Sequence, residues 1–125
     1  MSSPRGKIRV AIHASDPLYR AGLLDYVRKD HRLSEADADR VDENDIFVVV
    51  IDTSGNATLE MLRSWPNACA AKFLLIVKDE WTVDTSTATE YGVRGVLQYA
   101  DCTRTAFSEA LITIDGGGTE ISEAA

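Results

Sequence analysis

With 125 residues the chain is long enough for one domain with a real core, and its 45% apolar and 26% charged residues are those of a soluble globular protein. No apolar run approaches the roughly 20 residues that a membrane span needs. The net charge of −7 comes without any cluster of Lys and Arg, which excludes nucleic-acid binding by these residues alone, because a phosphate backbone rewards clustered cations.

Residues 1–6 read as a flexible amino terminus without a signal-peptide pattern, which places the chain in the cytoplasm. Lys7 to Ala14 forms a first strand. Ser15-Asp16-Pro17 starts a helix, with Asp16 as N-cap and Pro17 at the first helical position. Leu18, Ala21, Gly22, Leu24 and Val27 then follow at helical spacing, and Arg28-Lys29-Asp30 closes the helix. From 30 to 45 acids crowd a stretch with few large apolar residues, only Leu33 and Val41. This reads as a solvated connection with room for a short edge strand and a turn of helix. Asp37-Ala38-Asp39 opens a calcium-loop pattern, but Val41 and Asp42 break it.

The run Ile46-Phe47-Val48-Val49-Val50-Ile51 is apolar at every position rather than at alternate ones. Such a strand must be covered on both faces, as an interior strand of a parallel sheet is. Asp52 follows it, at the edge where open α/β sheets place their chemistry. Ala57 to Trp65 is a short helix stopped by Pro66, and Lys72 to Val77 is a second buried strand. Asp84 to Tyr91 is a weak helix closed by Gly92, and Gly95 to Tyr99 is a last short strand. Thr103 to Asp115 is an amphipathic helix carrying Phe107, Leu111, Ile112 and Ile114. Gly116-Gly117-Gly118 stops it, and residues 116–125 read as a linker or tail. Alternating strands and helices with right-handed crossovers give a three-layer, doubly wound parallel α/β sheet. Its strand order is 2-1-3-4-5, with strand 2 and helix 2 weak or missing.

Three segments carry a family likeness: Ile8 through Leu23 with Ser15-Asp16-Pro17-Leu18-Tyr19-Arg20-Ala21-Gly22 at its centre, the strand ending at Asp52, and Tyr91-Gly92-Val93-Arg94-Gly95-Val96-Leu97. In order and spacing they resemble bacterial response-regulator receiver domains of the LuxR-type (NarL/FixJ-like) subfamily, over roughly residues 7–118. The resemblance implies the flavodoxin-like receiver fold for residues 7–115. It also implies a strand-3 Asp phosphorylated through Mg²⁺, which two acids after strand 1 hold with hard oxygen ligands. A Thr or Ser ending strand 4 and a Lys after strand 5 complete the family's site.

The departures carry most of the meaning. Asp52 matches the phospho-acceptor, but the acid-pair positions hold Ala14 and Ser15, the switch position holds Val77 and the lysine position holds Tyr99. One metal ligand and no balancing cation leave the charge of phosphoryl transfer uncompensated. The expectation is an atypical receiver domain that is not phosphorylated, is not an enzyme and needs no metal or cofactor. It would act as a homodimer and pass its signal to a helix-turn-helix domain absent from this chain, through which alone DNA would be a partner. The family's dimer faces correspond here to residues 83–115, or to Pro17–Lys29 with Thr103–Asp115, and the sequence does not choose between them.

Several residues invite sharper readings. Asp16 could turn inward as a metal ligand, although helix capping explains it. Asp79 and Glu80 lie on the same edge and could join Asp16 and Asp52 in a loose cation cluster. Lys78 could neutralise Asp52. Trp81 and Tyr99 could line a pocket for a small-molecule effector, make a protein contact, or cap the core. His13 reads as a core histidine and His31 as a turn residue, and with Cys69 and Cys102 they fit no metal-ligand spacing. The thiols are expected reduced and at least half-buried. No G-x-S-x-G elbow surrounds Ser15, and Ala14-Ser15-Asp16-Pro17 has no glycine for a flavin-phosphate loop, so neither enzyme reading stands. The alternatives are a stand-alone protein-binding module and an effector-sensing domain.

Overall fold

The computed structural model describes residues 7–36, 45–51, 60, 72–78 and 85–121. In chain order these form β1 (Ile8–His13), α1 (Pro17–Lys29), β2 (Leu33–Glu35), β3 (Ile46–Ile51), β4 (Lys72–Val77), α2 (Thr85–Glu90), β5 (Val93–Gln98), a 3₁₀ turn (Tyr99–Asp101), α3 (Arg104–Asp115) and β6 (Glu120–Ile121). The strands make one parallel sheet in the order β2-β1-β3-β4-β5-β6. The expected 2-1-3-4-5 arrangement is present, with strand 2 reduced to three residues. A sixth strand, inside the stretch expected as linker, extends the sheet beyond β5. The expected helix over 57–65 lies outside the described residues apart from Glu60.

The reason β3 is apolar throughout is now explicit. Phe47, Val49 and Ile51 pack on one side of the sheet with Phe73, Leu75, Val77 and Ala88, while Ile46, Val48 and Val50 pack on the other with α1 and α3. All six β3 residues are buried. Because successive strand side chains alternate faces, a two-sided layer can take no polar position in the middle strand.

α1 begins as the sequence dictates: the Asp16 carboxylate accepts the N–H of Leu18 at 2.9 Å, with Pro17 opening the helix. Its buried stripe is not the expected one. Leu23, Leu24 and Val27 face the sheet and Tyr19 and Tyr26 flank them, whereas Ala21 and Gly22 are exposed and Leu18 is 83% exposed. The two tyrosines cover more of the sheet than Ala21 and Gly22 can, so the helix turns them inward. The turn that follows α2 closes at Gly92, whose φ of +86° is the left-handed conformation expected of the residue that stops the helix.

Two acids at the ends of the acid-rich stretch after α1 are not solvated. Asp30 and Asp45 are buried, each held by an arginine fork. Arg32 reaches Asp30 at 2.9 and 2.8 Å, and Arg9 reaches Asp45 at 2.9 and 3.4 Å. Planar guanidinium matched to carboxylate lets a buried charge persist. His13, expected in the core, is instead exposed at the end of β1, where it pairs with Val49 of β3. His31 sits exposed in the α1–β2 turn.

Candidate functional site at the carboxyl edge of the sheet

The carboxyl ends of β1, β3, β4 and β5 converge on one shallow pit lined by Ser15, Asp16, Tyr19, Val50, Lys78 and Tyr99. Parallel strands all present this end to the same side, so residues from four separate segments meet there. Of the residues singled out from the sequence, Ser15, Asp16, Lys78 and Tyr99 are brought together. Ala14 is half-buried against the α1–α3 side of the core, and Val77 is buried on the opposite side of the sheet. Asp52, Trp81, Asp79, Glu80 and Cys69 lie outside the described residues.

The pit is dominated by an aromatic pair. Tyr19 and Tyr99 stack with ring centroids 4.5 Å apart and planes inclined by 25°. The Lys78 ammonium lies 5.1 Å from the centroid of the Tyr99 ring, within cation–π range. The enclosed space is about 10 Å³, room for one water molecule.

Beneath the stack the Tyr19 hydroxyl is buried without a hydrogen bond of acceptable geometry. Burial pushes this phenol well above its ordinary value, and the neighbouring Cys102 thiol adds to the shift. Cys102 is itself half-buried, and its burial raises the thiol in turn. The pair is chemically quiet: neither group ionises near neutral pH to act as base or nucleophile. Asp16 spends its carboxylate on the backbone of α1, at 2.9 Å to Leu18 and 3.4 Å to Tyr19.

Sequence reasoning passed over Tyr19, which occupies the variable place between Leu18 and Arg20. Its signal is local: three residues past a helix N-cap, a side chain on the inward face leans back over the preceding strand end. A long aromatic there reaches the sheet's mouth.

No protein-family model and no curated protein matches the sequence. Solved structures do match. The response regulator ChrA of a heme-sensing two-component system superposes with a TM-score of 0.66 at 23% identity, over 94% of this chain. The present chain spans 61% of ChrA's length. The signal receiver domain of NarL from Mycobacterium tuberculosis gives 0.62 at 22% identity, covering 89% of this chain and 98% of that one. A pilus assembly-related protein from Burkholderia pseudomallei gives 0.64 at 19% identity, covering 93% and 95%. The chain therefore has the fold of response-regulator receiver domains. No helix among the described residues is long and apolar enough to cross a membrane.

Proposed function

We propose that this chain is a receiver domain that works without phosphorylation, transmitting signals by dimerisation to a DNA-binding domain carried outside these 125 residues. The observation that carries the reading is the Tyr19–Tyr99 stack, capped by Lys78, in a pit with room for one water. A phosphoryl group with its magnesium is far larger and needs several oxygen ligands and a balancing cation in place. At the positions that would supply them stand Ala14, Ser15 and Tyr99. Receiver domains as a fold class lend the regulatory role, and ChrA, a response regulator longer than this chain, lends the idea of an output domain.

The test is to treat the chain with beryllofluoride and Mg²⁺, and separately with acetyl phosphate, and to follow amide NMR shifts and intact mass. Unchanged spectra and unchanged mass are expected. A phosphoryl adduct, or saturable shifts around the carboxyl edge, would refute the reading.

A second reading has one observation in its favour. The crystallised chain of the pilus assembly-related protein is covered over 95% by this single domain, which supports a protein that is not a transcription factor having this fold. On that reading the chain is a stand-alone protein-binding module. A reading frame that continues past Ala125 into a helix-turn-helix decides for the first.

A further inference from the structure

The glycine run after α3 was expected to be slack, yet it is a built reversal. The N–H groups of Gly116, Gly117 and Gly118 donate to the carbonyls of Ile112, Ile114 and Thr113 at 3.1, 3.0 and 2.9 Å, satisfying the end of the helix. Gly117 has φ +91°, where any side chain is strained. A Cβ on Gly118 would sit 3.0 Å from Thr113 Cγ2 and 3.2 Å from the Thr113 carbonyl oxygen. Gly117 thus calls for glycine by its backbone conformation, and Gly118 is packed closely against Thr113. What they produce is a change of direction: the chain leaves α3, turns, and lays Glu120 and Ile121 along β5 in parallel, opposite Gly95 and Val96.

Without that strand β5 would be the outermost strand of the sheet. An outer strand presents a row of unpaired N–H and C=O groups that template pairing with another chain. We propose that β6 is an intramolecular guard on this edge, and that its release lets β5 of one copy pair antiparallel with β5 of a second copy about a two-fold axis. The occupant is argued from β5 itself, Val93-Arg94-Gly95-Val96-Leu97-Gln98. With the axis between Gly95 and Val96, Arg94 faces Leu97 and Val93 faces Gln98 across the junction, so no like charges are opposed. A two-fold arrangement is self-complementary and closes at two copies. Among the described residues the guard pairs with β5 at two positions only, and so short an outer pairing opens far more readily than the interior strands. Association is then governed by whatever holds or pulls the segment carrying Glu120 and Ile121. This deepens the dimerisation invoked above and rests on that reading only for its regulatory meaning, since the assembly itself is testable without any phosphorylation chemistry.

The experiment uses the full chain with Glu120→Pro and Ile121→Pro together, which removes the N–H groups of β6, and in parallel Gly117→Val, which strains the reversal. Folding is checked by the dispersion of the core amide signals. Sedimentation velocity over about a hundredfold range of concentration reads the assembly state. Amide hydrogen exchange reads the β5 edge. The expected result is a dimer constant tightened at least about tenfold relative to the parent chain, with Gly95–Leu97 amides regaining protection as concentration rises. Should the proline variant not fold, the valine variant carries the same test. Variants that associate no more than the parent, or that associate while Gly95 and Val96 exchange freely, overturn the guard. Either outcome leaves the beryllofluoride result where it was.

Discussion

Tyr99, at the end of β5, stacks on Tyr19 of the first helix at 4.5 Å, and the Lys78 ammonium lies over the Tyr99 ring, 5.1 Å from its centroid. The stack ties the end of β5 to the start of α1 across the mouth of the sheet. An aromatic pair is worth about 0.5–1.5 kcal/mol beyond the area it buries, which a double-mutant cycle can isolate. Tyr19→Ala, Tyr99→Ala and the double variant, compared by urea denaturation, should show a coupling energy in that range. Strictly additive losses would mean that the rings are neighbours without mutual stabilisation.

The buried Tyr19 hydroxyl gives a prediction of opposite sign. A polar group out of water and without a hydrogen bond costs about 1–3 kcal/mol, so Tyr19→Phe should leave the chain as stable or more stable. Its raised pKa adds a pH arm. The folded state holds the phenol proton while the unfolded chain releases it near the ordinary value of 10.0, so stability contributed by this group is complete below about pH 10 and declines as pH rises further. The decline should weaken in Tyr19→Phe. A phenylalanine variant that is clearly less stable would show that the hydroxyl is bonded, with Cys102 the nearest partner.

What could be read from sequence divides along physical lines. Strand positions were legible because burial on both faces leaves an unbroken apolar run in β3 and β4, and Asp16-Pro17 announces its helix by local capping chemistry. The rotation of α1 was not, since Ala21 and Gly22 fit an apolar stripe as well as Leu23 does and only competition with Tyr19 and Tyr26 decides it. Nor were the buried Asp30 and Asp45, whose partners are set by chain reversal at Arg32 and by strand pairing at Arg9. A triple glycine signals freedom in composition, and only the contacts of Thr113 show that here it signals constraint. At the site, Ser15, Asp16, Lys78 and Tyr99 were expected together because all four end or follow parallel strands. Tyr19 was missed because it reaches the mouth from a helix.

Asp30 supplies an acid-side prediction. The Arg32 guanidinium holds its carboxyl well below the usual range against the opposing effect of burial, with the Arg32 backbone N–H and Ser108 assisting. The fold therefore favours the ionised form. The resulting stability is complete above the unfolded value of 3.8 and is lost as pH falls toward the depressed folded value. Asp30→Asn should cost on the order of 2 kcal/mol at neutral pH and flatten the dependence of urea midpoint on pH below about 4. An unchanged acid limb would mean that other carboxylates govern it.

If the degenerate positions are what silence the site, restoring them should restore its chemistry. On the proposed equivalence, a chain carrying Ala14→Asp, Ser15→Asp, Val77→Thr and Tyr99→Lys would carry an acid pair, a switch hydroxyl and a cation, and would lose the Tyr99 ring from the pit. Mg²⁺-dependent amide shifts with beryllofluoride are expected in this variant and not in the parent. Tyr99→Lys alone should open the pit without restoring the response, because one lysine does not hold a metal. A response in that single variant would place the block at the stack and not at the missing acids.

Gly22 and Gly117 separate what a glycine permits from what it is needed for. Gly22 lies in the interior of α1, exposed, and a Cβ there would have nothing within 4 Å. Its only effect is to widen the unfolded ensemble and weaken the helix, so Gly22→Ala should stabilise the chain by about 0.5–1 kcal/mol. At Gly117 a Cβ would also meet nothing within 4 Å, yet φ is +91°. The same substitution at Gly117 should therefore destabilise, by about 1 kcal/mol or more, because the left-handed backbone and not the available space sets the cost. The pair is a controlled comparison of one chemical change in two equally open surroundings, and thermal unfolding of the two variants reads it directly. Two shifts of the same sign would mean that the turn after α3 is not held in the conformation that carries β6 onto β5.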